Sequence, residues 1–79
     1  MEKQDIFNII TRNLSEVIPD LEGHPFQLAE SMRDFGANSI DRSEIIMMTL
    51  EKLGISVPLI ELAKAQSMGD LAGILHEKL

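Results

Sequence analysis

The chain has no cysteine, tryptophan or tyrosine, and only three phenylalanines and two valines among its 79 residues. Without cysteine it can form no disulfide and can supply no thiolate as nucleophile or metal ligand, which fits a reducing compartment. The scarcity of aromatic residues and valine, against a plentiful supply of Ile, Leu and Met, favours helices over strands. Positive charge is also scarce. Seven Lys and Arg face thirteen Asp and Glu, a net charge of −6. Such a chain repels nucleic acid, whose binding depends on neutralising phosphates, and avoids anionic membrane surfaces. It is better suited to docking on basic patches of other proteins. No apolar run approaches the roughly 18 residues of a membrane span. The opening "MEKQDIFNII" lacks the basic flank and unbroken apolar block of a signal peptide, so a cytoplasmic protein is expected.

What is present reads as one small domain over residues 1–79, since 44% of the residues are hydrophobic and the length suits a single core. At this size the core is modest and leaves little room for an enclosed active site. In "KQDIFNIITRNLSEVIPDL", Ile6, Ile9, Ile10, Asn13, Leu14 and Val17 recur at three-and-four spacing, which predicts an amphipathic helix stopped by Pro19. Residues 19–38 read as a long connection carrying Gly23, Pro25 and Gly36. Phe26, Leu28, Met32 and Phe35 are its apolar anchors, and a short helical turn is expected around Phe26–Ser31. A second helix is predicted from Ser39 to about Leu53, capped by Asn38 or Ser39, with Asp41 and Glu44 near its positive end and Gly54 closing it. Pro58 opens a short helix through about Ala63. In "SMGD", Ser67 and Asp70 form an expected capping box ahead of Leu71, Ile74, Leu75 and Leu79, a final helix of about ten residues. The fold class is therefore all-α, a bundle of three longer helices and one short one with a long loop between the first two.

At about 100° per residue the second helix carries two stripes. Ile45, Ile46, Thr49 and Leu53 form the expected core face, with Thr49 its weak point and Leu50 leaning in. Ile40, Glu44, Met47 and Glu51 lie on the other side, beside Ser39. That outer stripe reads either as a solvated face with two tolerated apolar residues or as a docking strip, in which carboxylates steer a basic partner and Ile40 and Met47 supply the buried contact. Ser39 itself has two readings. It is a plain cap serine, or it carries a phosphodiester that another enzyme attaches at a helix mouth suited to phosphate. Nucleophilic catalysis is disfavoured because no base neighbours it in sequence and no hydrolase elbow surrounds it. His24 and His76 read as ordinary surface residues without metal-site spacing, and no Gly-rich phosphate loop is present.

The stretch "DFGANSIDRSEI", residues 34–45, resembles the modification site of the acyl carrier protein family, whose pattern is Gly-x-Asp-Ser-Leu at the start of the second helix of a four-helix bundle. The likeness extends over nearly the whole chain: the first helix, the long loop, the "VP" before a short third helix and the capped last helix. It implies a non-catalytic carrier. Ser39 would receive 4′-phosphopantetheine from coenzyme A through a phosphopantetheinyl transferase, and the arm's thiol would hold acyl groups as thioesters. For such a carrier the expected docking residues are those of the outer stripe with Asp41, namely Ile40, Asp41, Glu44, Met47 and Glu51; a monomeric state and service to acyltransferase and ketosynthase enzymes are expected with them. Two positions depart from the pattern. Asn38 stands where Asp is usual and Ile40 where Leu is usual; Asn still caps, but the lost charge bears on which partner recognises the site. The longer run "GANSIDRSEI" is similar to freestanding carriers of polyketide β-branching cassettes, which present an acetyl group to an enzyme resembling 3-hydroxy-3-methylglutaryl (HMG) synthase. An aminoacyl or peptidyl carrier, and a helical interaction module without a prosthetic group, are the alternatives. A short acyl chain would fit between the second and third helices, near Ile60 and Leu62.

Overall fold

A computed structural model describes residues 1–79 as four α-helices and two 3₁₀ turns, with no strand. The helices are α1 (Lys3–Val17), α2 (Ser39–Leu53), α3 (Leu59–Leu62) and α4 (Met68–Lys78). The helix α1 is the spine of the bundle and packs against both α4 and α2. Its buried stripe is Ile6, Phe7, Ile10 and Leu14, so the core takes Phe7, while Ile9 is only half-buried. Facing it are Ile45 of α2 and Met68, Leu71, Ala72 and Leu75 of α4, joined by Val57 and Leu62.

Thr49 is not a gap in this core. It is fully buried, its hydroxyl donates to the Ile45 carbonyl at 2.8 Å, and it accepts from Asn13 Nδ2 at 2.9 Å. Both polar side chains are thereby satisfied, as burial requires. Ile46, Leu50 and Leu53 pack against the core from half-buried positions. Leu79, expected on the apolar face of the last helix, is exposed.

The long connection is more ordered than a bare loop. Its 3₁₀ turns lie at Pro19–Leu21 and Met32–Phe35, not at Phe26–Ser31. The second turn starts where it does because Asp34 Oδ2 accepts from the Ser31 N–H at 2.8 Å, and it ends at Gly36, whose φ of +86° is in the left-handed region. Met32 is buried and Phe35 half-buried, so both serve as anchors, but Leu28 stays exposed. His24 is not a free surface residue. It stacks at 4.7 Å from Phe26 and 4.8 Å from Phe35, whose rings are 5.2 Å apart, and Nε2 lies 3.9 Å from Glu30.

The loop is also tied down by its backbone. The Leu28 carbonyl accepts from the Gly69 N–H and the Glu30 carbonyl from the Met68 N–H, each at 2.9 Å. These are first-turn amides of α4, which the helix itself leaves without acceptors. Ser67 Oγ accepts from the Asp70 N–H at 3.0 Å, as a cap should. The expected reciprocal bond is replaced: the Asp70 carboxylate accepts instead from the Gln66 N–H at 3.3 Å. The loop approaches α4 so closely that a Cβ at Gly69 would sit 2.7 Å from the Leu28 carbonyl oxygen.

Two stability measurements check this packing. Ile45→Ala is expected to cost about 2–5 kcal/mol in urea unfolding, because Ile45 is fully buried; a smaller loss is expected at half-buried Ile46. Gly69→Ala gains at most about 1 kcal/mol from helix propensity, yet a lower urea midpoint is expected because the added methyl displaces the Leu28 carbonyl. An unchanged or higher midpoint for Gly69→Ala contradicts the close loop contact.

Candidate functional site

The first turn of α2 is built by the five residues before and within it. Gly36 reverses the chain at its left-handed φ, and Ala37 then turns inward and is buried. Asn38 is the cap: Oδ1 accepts from the Asp41 N–H at 2.8 Å, and Asp41 Oδ2 accepts from the Asn38 N–H at 3.2 Å. Ser39, the first helical residue, is left exposed. The capping role therefore falls to Asn38, and the Ser39 hydroxyl is not consumed by it.

The one side chain that bonds to Ser39 is Arg42, one turn on, whose Nη2 donates to Oγ at 3.3 Å. The same guanidinium donates from Nη1 to the Ala37 carbonyl at 2.8 Å. Neither histidine hydrogen-bonds to Ser39, and no cluster of three or more His, Asp or Glu side chains gathers elsewhere. The hydroxyl thus has a cation beside it and no general base, an arrangement that gives it no means of acting as a nucleophile unaided.

On one side of Ser39 a partly open cleft of about 620 Å³ runs between α2, α3 and the start of α4, lined by Arg42, Ile46, Leu59, Leu62, Met68 and others. Leu62 lines it as expected. Ile60 does not; it points outward and is 79% exposed. On the other side lies a shallow surface formed by Ile40, Ser43, Glu44, Met47, Met48 and Glu51. Ile40 is 77% and Met47 62% exposed, and both carboxylates face solvent. Asp41 differs from these neighbours. It is half-buried and its carboxylate is engaged in the cap, so it presents less charge outward than spacing alone suggests. The exposed Ile60 and half-exposed Leu59 add an apolar area on α3 that the sequence reading did not single out as a surface. The signal was available: the short "LIEL" segment has more apolar residues than a four-residue helix can bury.

Residues 8–75 match the family model described as "Phosphopantetheine attachment site". The chain is 43% identical over its full length to the polyketide biosynthesis acyl-carrier-protein AcpK of Bacillus subtilis (strain 168), covering 96% of that protein. It is 26% identical over 77 residues to the acyl carrier protein of Thermotoga maritima, spanning 98% of this chain and 95% of that one. Among solved structures, it superposes with a TM-score of 0.90 and 39% identity on a chain of the crystal structure of the curacin biosynthetic pathway HMG synthase in complex with acetyl donor-ACP. That match covers 95% of this chain and 96% of the other.

The group this family carries is a phosphodiester-linked pantetheine. It fits the residues present: an exposed hydroxyl at a helix start, beside a cleft that no Asp or Glu lines. The arm supplies the thiol that the cysteine-free chain lacks and holds acyl groups there as thioesters. An interaction module without a prosthetic group is set aside by the same matches. With a matched motif over most of its length and full-length relatives of the same size, the chain belongs to the acyl carrier proteins, non-catalytic carriers of covalent 4′-phosphopantetheine.

Proposed function

We propose that Ser39 is the attachment residue and that residues 1–79 act as a single, monomeric carrier domain for polyketide biosynthesis in the cytoplasm. The observation that carries this reading is the exposed Ser39 hydroxyl, free of the cap and lying in the stretch that resembles the family's modification motif. The attachment step needs an external enzyme, a phosphopantetheinyl transferase. The Ser39 oxygen attacks the β-phosphorus of coenzyme A, a P–O bond forms as the pyrophosphate bond breaks, adenosine 3′,5′-bisphosphate leaves, and the hydroxyl proton passes to a base of the transferase. The cargo is acetyl or malonyl-derived. An acyltransferase loads it and ketosynthase or HMG-synthase-like enzymes consume it.

The likeness to AcpK and to a donor carrier found with HMG synthase supports this pathway over aminoacyl or peptidyl transfer. Such a carrier visits several enzymes, so each docking contact must be weak. The outer face of α2 suits that need. Glu44 and Glu51 are exposed and in no ion pair, so they interact with a basic partner through solvent-screened contacts of small individual worth. Ile40 and Met47 between them offer a compact apolar contact that Met adapts to more than one shape.

Incubation with coenzyme A and a broad-specificity transferase is expected to add one phosphopantetheine to the intact mass, and none to Ser39→Ala. Wild-type protein left unmodified by several transferases contradicts the assignment. Glu44→Lys and Glu51→Lys are each expected to slow acyl transfer to an HMG-synthase-like partner at low salt, while changing stability by about 0.5 kcal/mol or less. Wild-type transfer rates for both variants exclude this face as the docking surface.

A further inference from the structure

The charge around the cleft runs against that of the whole molecule. Thirteen acidic residues are spread over 79 positions, yet none lines the cleft beside Ser39. Two of the three arginines do: Arg33, from the 3₁₀ turn before α2, and Arg42, from α2 itself. Neither is in an ion pair, although Asp34 and Asp41 adjoin them in sequence. Those two carboxylates are held elsewhere, Asp34 by the Ser31 N–H and Asp41 by the Asn38 N–H. The position before Ser39 is also uncharged, being Asn38. In a chain of net charge −6, two guanidinium groups have been left without anionic partners at one spot.

Arg42 is moreover held in place. Its Nη1 is anchored on the Ala37 carbonyl at 2.8 Å, which leaves Nη2 directed at Ser39 Oγ, 3.3 Å away. A guanidinium presents its donors in a rigid planar fork, matched to two oxygens of a phosphate. When Oγ becomes an ester oxygen, the non-bridging phosphate oxygens lie two bonds beyond it, through the phosphorus, within reach of the same fork. A lysine in this place would offer a point charge without the second, anchoring bond.

We propose that Arg42 is a positioning residue that clamps the phosphodiester on Ser39, with Arg33 adding positive charge along the same cleft. The clamp fixes the root of the arm against the α2–α3 side of the molecule, while the rest of the arm stays mobile. This inference rests on the attachment reading above, and the experiment separates the two.

The test is ³¹P NMR of the phosphopantetheinylated protein at low salt, with ¹⁵N detection of the arginine guanidinium groups. In wild type the phosphorus resonance is expected to be displaced from that of free phosphopantetheine and broadened to match protein tumbling. The Arg42 guanidinium signals are expected to shift between the unmodified and modified forms. In Arg42→Gln the phosphorus resonance moves toward the free position and narrows; Arg42→Lys gives an intermediate shift. Arg12→Gln, which makes the same charge change on α1 away from the cleft, leaves it in place. Added salt moves wild type in the direction of Arg42→Gln, as expected of a partly solvated ion pair. Amide spectra of each variant check that the fold is kept, and Arg42→Lys covers the case in which Arg42→Gln loosens the α2 cap. A protein-bound phosphorus signal identical in wild type, Arg42→Gln and Arg42→Lys overturns the clamp and leaves the attachment standing. Equal shifts in Arg12→Gln and Arg42→Gln reduce the effect to net charge and also overturn it. No protein-bound phosphorus in wild type overturns the attachment, and the clamp with it.

Discussion

The inward turn of Ala37 is the constraint on which the site depends. Its methyl is buried in the main cluster, and its carbonyl is held by Arg42. Ala37 is fixed inside, while Ser39, just past the Asn38 cap, opens α2 facing outward. Gly36 makes the reversal possible. A Cβ there would meet nothing within 4 Å, so it is the φ of +86° rather than lack of space that calls for glycine. Asn38 completes the arrangement by satisfying the Asp41 amide, which frees the serine hydroxyl from the usual capping duty.

The long connection holds this turn steady from the other side. Its carbonyls at Leu28 and Glu30 occupy the amides at the start of α4, and His24, Phe26 and Phe35 form a ring cluster just before Gly36. The start of α4 is thereby tied to the segment leading into α2, which holds the two sides of the cleft together. Function divides along the same lines. In the proposed function, the buried side of the bundle would set where the tether is rooted, and the exposed α2 face would supply screened, reversible contacts.

Much of this was legible in the sequence. The bounds of α2 and its Gly stop are plain in the sequence because each rests on a residue type with one strong local role, whereas the cap is left open between Asn38 and Ser39 until the structure gives it to Asn38. The existence of four helices and the outward stripe of α2 followed from periodicity. The misses lie where tertiary contact decides. Phe7 and Ile9 are both apolar on neighbouring helical positions, and only the placement of α4 and α2 selects Phe7 for burial. Thr49 read as a flaw because its partner Asn13 lies 36 residues away. The 3₁₀ turn was placed early because the Ser31–Asp34 signal was passed over in favour of the anchor residues. Hydrophobicity alone does not separate Ile60, which is exposed, from Leu62, which is buried and lines the cleft. At the candidate site, the motif singles out Ser39, whereas the carboxylate-free cleft beside it is not legible in the sequence, since its lining comes from four separate segments.

The central claim concerns one oxygen atom, and four serines line the same cleft: Ser31, Ser39, Ser43 and Ser67. Trypsin separates them, because cleavage after Arg33 and Arg42 leaves Ser39 as the only serine of residues 34–42 and puts Ser43 at the head of the next peptide. Fragmentation mass spectrometry of the digest from protein isolated in its natural cell is therefore decisive. The account predicts phosphopantetheine on the 34–42 peptide and nowhere else. Its presence on Ser31, Ser43 or Ser67 instead would contradict it.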